Sequence, residues 1–301
     1  MATNARNLEA NQLIDGRFRI EAKIGDGSQG VVYRVLDLNL RRTCALKILC
    51  AEKGDEDSRA RFRREGRLGE NLRHPNLVEV FESDKLWRNH PYLVMEVLEN
   101  MAPLASCWSE VDWPRLLEIV AQVAKALDYL AEYELVHRDL SPSNILINAA
   151  NDVKVIDLGL AREAGSGLTR SSMVDVMGSA GYLPPEQLER PKEVDPKSDQ
   201  WALGAIVYQA LTGIPPHFDD PNHEDGAEMS ALQRLADGAP LRAPSEVNTS
   251  VDSRVEVAVL RALRATPTAR FPSCLAFVDR LRRVPGRTIV LPMQRLSHTA
   301  K

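Results

Sequence analysis

Residues 137–159 read HRDLSPSNILINAANDVKVIDLG, and the fold of the whole chain follows from how this stretch is understood. It places Asp139, Asn144 and Asp157 on a loop, a short strand pair and a second loop. Carboxylate and amide oxygens are the donors that a hard cation such as Mg²⁺ takes from a protein, one or two at a time. Asn144 and Asp157 offer such oxygens, and Asp139, five residues before Asn144, offers a carboxylate to an attacking hydroxyl.

The stretch resembles the catalytic loop and the metal-binding loop of protein kinases. The match is to a known pattern and not a derivation from spacing. It implies that Asp139 accepts the proton of a substrate hydroxyl, while Asn144 and Asp157 hold Mg²⁺ (or Mn²⁺) on ATP. Two letters depart from the usual form: Ser141 stands where the family has lysine, and Leu158 where it has phenylalanine. A serine offers the transferring phosphoryl group only a neutral hydrogen bond. Losing the lysine charge is expected to slow transfer by roughly 10²-fold, not to abolish it. A leucine fills the same apolar slot as a phenylalanine.

Working back from this stretch, RFRIEAKI, VVYRVLDL and TCALKIL alternate apolar with polar residues, the period of strands with one buried face. Between the first two lies Gly25-Asp26-Gly27-Ser28-Gln29-Gly30, either a plain hairpin turn or a loop that lets backbone amides approach phosphates. It is not a dinucleotide fingerprint, because strand and not helix follows it. Lys47, alone on a strand, reads as a solvated-face residue. The resemblance gives it a second reading, a contact to the α- and β-phosphates held by Glu65. Glu65 falls in the helical stretch SRARFRREGRLGENL, with Phe62, Leu68 and Leu72 as its apolar face and Arg59, Arg61, Arg63, Arg64 and Arg67 around it. HPNLVEVFES and PYLVMEV predict two more strands. The resemblance makes Met95 the back of the nucleotide pocket and Glu96 to Leu98 the adenine hinge. It also assigns nucleotide contacts to Ile24, Gly25, Gly27 and Gly30, with Val32, Ala45 and Leu146 around the base. For the last three, ordinary core is the bland alternative, and it is compatible.

Going forward, the pattern turns helical at Pro114, with Leu116, Ile119, Val120, Val123, Leu127 and Leu130 on one face. After Gly159 a polar loop runs to Pro184-Pro185-Glu186. It resembles an activation segment, with Thr169, Ser171 and Ser172 as candidate phosphorylation sites that a phosphate would tie to Arg138. Asp199, Trp201 and Gly204 resemble the DxWxxG helix, whose aspartate binds the catalytic-loop backbone. Arg270 matches the arginine that pairs with Glu186. Residues 253–264 and 273–284 predict closing helices.

The resemblance runs from about Phe18 to Arg283, with every landmark in family order, and its phrasing is similar to bacterial eukaryotic-like serine/threonine kinases. It implies an α+β, two-lobe protein-kinase-like fold, with a small antiparallel-sheet lobe carrying one main helix and a larger helical lobe. The expected division is a loose tail over 1–13, lobes over 14–97 and 98–284, and a tail over 285–301. The implied activity is transfer of the γ-phosphate of Mg–ATP to protein serine or threonine, regulated through the activation loop, with a transient homodimer for autophosphorylation. The alternatives are a nucleotide-binding pseudokinase, on the strength of Ser141, and a small-molecule phosphotransferase, which the peptide-platform motifs argue against.

Composition agrees. The 301 residues are 44% apolar and 27% charged, with a net charge of −4 that gives no reason to expect nucleic acid. The longest apolar run, Ala202–Leu211, is about half the ~20 residues of a membrane span. MATNARNLEANQ is not a secretory signal. Cys44, Cys50, Cys107 and Cys274 lack metal-ligand spacing and suit free thiols in a reducing, cytoplasmic setting.

Overall fold

The computed structural model describes residues 5–27, 30–50, 56–87, 90–157, 162–163, 177–191, 194–218, 227–284 and 289–292. The chain divides into two compact units, Met1–Asn100 with Asp157–Gly159, and Met101–Ile156 with Leu160–Lys301.

The first unit holds β1 (Leu13–Ile14), β2 (Phe18–Asp26), β3 (Gly30–Asp37), β4 (Arg42–Leu49), α1 (Glu56–Asn71), β5 (Val80–Trp87) and β6 (His90–Met95). Its strands make one six-stranded sheet in the order β1-β2-β3-β4-β6-β5, antiparallel throughout. Alternation sorts the side chains onto two faces. Val31, Tyr33 and Val35 of β3 join Cys44, Leu46 and Ile48 of β4 in one buried cluster with Phe18, Ile20, Tyr92 and Val94. The other face of β4 carries Ala45, Lys47 and Leu49, and there Leu49 packs with Phe62 of α1 and Leu93 of β6. Two glycines bring α1 close to the sheet. A Cβ on Gly66 would stand 2.3 Å from that of Ser83, and one on Gly69 would stand 2.5 Å from Val80 Cγ2.

Two expectations for this unit need correcting. The stretch HPNLVEVFES is not strand from its start; β5 begins at Val80. His74-Pro75-Asn76 forms a turn first, in which His74 Nδ1 accepts from the Asn76 amide at 3.1 Å and His74 O from the Leu77 amide, the usual chemistry of Pro and Asn. Residues 5–13, expected to be loose because they are polar, are packed. Ala5 and Leu8 enter the main cluster. Tyr33 donates its hydroxyl to Ala5 O at 2.9 Å and accepts from the Leu8 amide at 3.1 Å. Asn11 and Gln12 exchange backbone hydrogen bonds with Ile20.

The second unit holds β7 (Ala102–Pro103), α2 (Leu104–Cys107), α3 (Trp113–Glu132), β8 (Leu135–Val136), β9 (Ile145–Ile147), β10 (Val153–Val155), β11 (Arg162–Glu163), α4 (Pro185–Glu189), α5 (Pro196–Thr212), α6 (Ala227–Ala236), α7 (Pro244–Val247), α8 (Ser253–Ala262) and α9 (Cys274–Arg282). Helix α3 starts where Asp112 accepts from the Arg115 amide beside Pro114, and the apolar residues expected on its inner face are all buried. Helix α5 is buried from Ser198 to Thr212 and ends at Gly213, whose φ of 86° closes it. This accounts for the apolar run 202–211 as a core helix. Asp128 of α3 accepts the first amides of α9, from Cys274 and Leu275. Part of the tail also docks: Ile289 and Leu291 are buried, and Asn248 donates to Val290 O at 2.8 Å. The four cysteines are free. Among the described residues no helix is long and apolar enough to cross a membrane.

Candidate active site

In the first unit, Lys47 pairs in the ladder with Val32 of β3 and Leu93 of β6. It is 6% exposed, so the solvated-face reading does not hold. Its ammonium makes an ion pair with Asp157 and stands 5.9 Å from the Phe62 ring centroid. The side chain of Glu65 lies outside the described residues, as do Leu158, Thr169, Ser171 and Ser172. Asp157 takes a left-handed φ of 64°, a conformation that aspartate tolerates better than most residues.

The glycine loop is not uniform. A Cβ on Gly30 would come within 2.3 Å of Ile48 O, so only glycine fits between β3 and β4 there. A Cβ on Gly27 would meet nothing closer than Gly30 O at 3.9 Å, which leaves room above that residue. Gly25 lies against Val32, and Ile24 beside it is half exposed. Arg6 reaches this loop: it pairs with Asp26 and donates to Gly27 O at 3.0 Å. Ala45 is buried opposite Met95. Glu96 accepts the Glu79 amide on its carboxylate at 2.8 Å and donates its own amide to Glu79 O. Its side chain is thereby tied to the residue just before β5. Leu98 is half-buried.

The second unit holds Asp139 and Asn144. Asn144 closes the short turn Pro142–Asn144 and donates its Nδ2 both to Asp139 O at 2.8 Å and to Asp139 Oδ2 at 3.1 Å. One amide nitrogen therefore fixes the loop and orients its carboxylate. Ser141 is buried, and its carbonyl accepts the Asn144 amide. His137 is fully buried. Its Nδ1 accepts the Asp139 amide at 3.3 Å, while its Nε2 lies 3.1 Å from Ile156 O. With Nδ1 accepting, the ring is placed to donate from Nε2 to Ile156 O. Leu146, in β9, is half-buried.

The loop is anchored from α5. Asp199, 2% exposed, accepts the His137 amide at 2.7 Å and the Arg138 amide at 3.0 Å. Burial pushes its carboxyl above the usual range, against the pull of His137 and of those amides. Arg138 takes a φ of 67°, which a non-glycine residue adopts only where its surroundings hold it. Glu186 and Arg270 pair through two parallel hydrogen bonds of 2.7 and 2.8 Å, as the sequence implied. Ser198 adds a 2.7 Å hydrogen bond to Glu186. Sequence reasoning missed Gln187, which donates to Arg138 O at 2.9 Å. Its signal was slight, a single letter after the Glu186 that closes the activation-segment motif.

Comparison with known proteins fits this geometry. Residues 18–279 match the family model described as protein kinase domain. The chain belongs to that family. It is 38% identical over 268 residues to the serine/threonine-protein kinase PknL of Mycobacterium bovis, covering 88% of this chain and 64% of PknL. It is 32% identical to the probable serine/threonine-protein kinase SCO3848 of Streptomyces coelicolor, covering 88% of this chain and 39% of that one. Thus the chain spans between about two fifths and two thirds of the length of these relatives. Among solved structures, the PknI kinase domain of Mycobacterium tuberculosis is similar with a TM-score of 0.68 at 25% identity, over 92% of this chain and 99% of that one. The antiparallel first unit and the helical second unit are those of a protein kinase, as the sequence predicted.

Proposed function

We propose that the chain is an active serine/threonine protein kinase, transferring the γ-phosphate of ATP to hydroxyl groups of proteins. The observation that carries this is the hold of Asn144 on Asp139, which points one side of the amide at the carboxylate and leaves Asn144 Oδ1 for a cation. Each donor suits Mg²⁺ by its own chemistry: the neutral amide oxygen of Asn144 in the second unit and the carboxylate of Asp157 in the first, 40% exposed, are hard ligands of the kind that this ion takes besides phosphate oxygens. Bound there, the cation would neutralise the charge of the β- and γ-phosphates. Asp139 would orient the substrate hydroxyl and take up its proton at a carboxylate oxygen. Lys47, desolvated in β4, would bind the α- and β-phosphates. Thr169, Ser171 and Ser172 are proposed as sites at which the activity is regulated.

A second reading, a nucleotide-binding pseudokinase, rests on Ser141, which is buried and brings no charge to the loop. Phosphotransfer from labelled ATP onto the chain and onto a basic protein separates the two. An active kinase loses at least about 10²-fold of its label in Asp139→Asn. Nucleotide binding without any label would favour the pseudokinase, and Ser141→Lys would then be tested for gain of transfer.

A further inference from the structure

We infer that Gln187 is a positioning residue for Asp139, an inference that rests on the kinase reading above. The peptide joining Arg138 to Asp139 sets the direction in which the Asp139 side chain leaves the backbone. Its two polar ends are held from opposite partners. Gln187 Nε2 donates to the carbonyl of Arg138 at 2.9 Å, and His137 Nδ1 accepts the Asp139 amide at 3.3 Å. The preceding amide, of Arg138, is held by Asp199. With φ fixed at 67° at Arg138, the peptide plane has little freedom left once both ends are bound.

Gln187 is itself well placed to be rigid. It is fully buried in α4, next to Glu186, which Arg270 and Ser198 clamp. Helix α4 thus passes the rigidity of that clamp to the catalytic loop through one side-chain amide. Among the described residues only half of this amide is used: Gln187 Oε1 is buried, and none of them gives it a hydrogen bond. A buried acceptor left unmade costs stability, so a glutamine here is not the choice that stability alone favours. The half that is bonded is the half that orients the loop.

The test is Gln187→Met, which keeps the length and removes both polar atoms. Stability should change little, because the lost hydrogen bond at Arg138 O is offset by removal of the unsatisfied oxygen. The thermal midpoint is expected to move by no more than about 3 °C. The kcat for peptide phosphorylation is expected to fall at least about 10-fold, since small misplacements of a reacting group are costly. KM for ATP should stay within about twofold. Amide hydrogen exchange should quicken over residues 137–140 and stay unchanged in α3. An unchanged kcat with unchanged exchange at 137–140 overturns the inference. So does a kcat loss that comes with faster exchange in α3, because the residue is then structural. Should the wild-type chain show no phosphotransfer, the kinase reading fails instead. Exchange at 137–140 then decides alone, quickening sustaining the positioning role and constancy ending it.

Discussion

Arg6 in the first unit and Arg270 in the second each grip a carboxylate, in very different surroundings. Arg6 and Asp26 keep 34% and 37% of their side chains in water. Arg270 and Glu186 keep 0% and 1%. The buried guanidinium spends all five of its N–H groups. Two go to Glu186, and one each to Lys197 O, Arg264 O and Ala265 O. The first unit therefore ties its glycine loop down with pairs that water and salt can loosen, whereas the second fixes its platform with groups that have no other partner to turn to. A loop that admits and releases nucleotide suits the former, and a loop that must hold one carboxylate steady suits the latter.

The sharpest way to break this contrast is Arg270→Ala. It strands Glu186 and three carbonyls in the interior, and unfolding in denaturant should show a loss of about 3–5 kcal/mol. Arg270→Lys should recover little of it, since an ammonium has three donors in the wrong geometry. A loss below about 1 kcal/mol would mean that the second unit is no more fixed than the first.

Next in size is a comparison inside the glycine loop. Gly30→Ala forces a methyl against Ile48 O and should cost about 1–3 kcal/mol. Gly27→Ala makes only an ordinary contact with Gly30 O at 3.9 Å among the described residues, so stability should hold while KM for ATP rises if the loop covers phosphates. Equal destabilisation by the two would remove the distinction. A smaller effect is expected at the N-terminal segment. Tyr33→Phe leaves Ala5 O and the Leu8 amide unbonded, a loss of about 1–2 kcal/mol by thermal or denaturant unfolding. No loss would return residues 5–13 to the loose tail that their polarity suggested.

That segment shows where the sequence was legible and where it was not. Period-2 alternation marked β2, β3 and β4, and the spacing of Leu116 to Leu130 marked α3, because each pattern is local and repeats. The kinase motifs nominated Lys47, Asp139, Asn144 and Asp157 as candidates by order alone. Ala5 and Leu8 are single apolar residues in a polar run, and Ile289 and Leu291 belong to a short apolar stretch, 289–291, too brief to show a period. Their burial depends on Tyr33 and Asn248, tens of residues away, and no period announces it. Gln187 was hidden for the same reason: its partner, Arg138 O, is a backbone atom that any residue would supply. Gly66 and Gly69 lie inside a helix that the sequence marked, but the close approach of β5 that calls for them is not a local pattern either.

The smallest effect expected is one of pH, and it separates the units by window. His217, in the second unit, has its imidazole pKa lowered below 6.5 by burial, and further by Arg234. The unfolded chain then binds the proton more readily. This stability is full above about pH 6.5 and is lost as pH falls toward the folded value. In the first unit Asp26 is lowered, chiefly by its hydrogen bond with Lys23, and Asp37 by its bonds with Arg17. Their contributions persist until pH drops below the ordinary carboxylate value of 3.8 and vanish through the folded values. Asp199, raised by burial, works in the opposite sense, gaining stability for the fold as acid protonates it. Thermal midpoints taken from pH 7 to 5 should therefore decline through His217 alone among these four groups. His217→Asn keeps a residue that accepts the local φ of 66° and should flatten that decline, leaving the drop below pH 4 untouched. A decline that survives the substitution would place its source elsewhere, and an early loss that follows Asp26→Asn would mean that the exposed pairs of the first unit matter more than their setting in water allows.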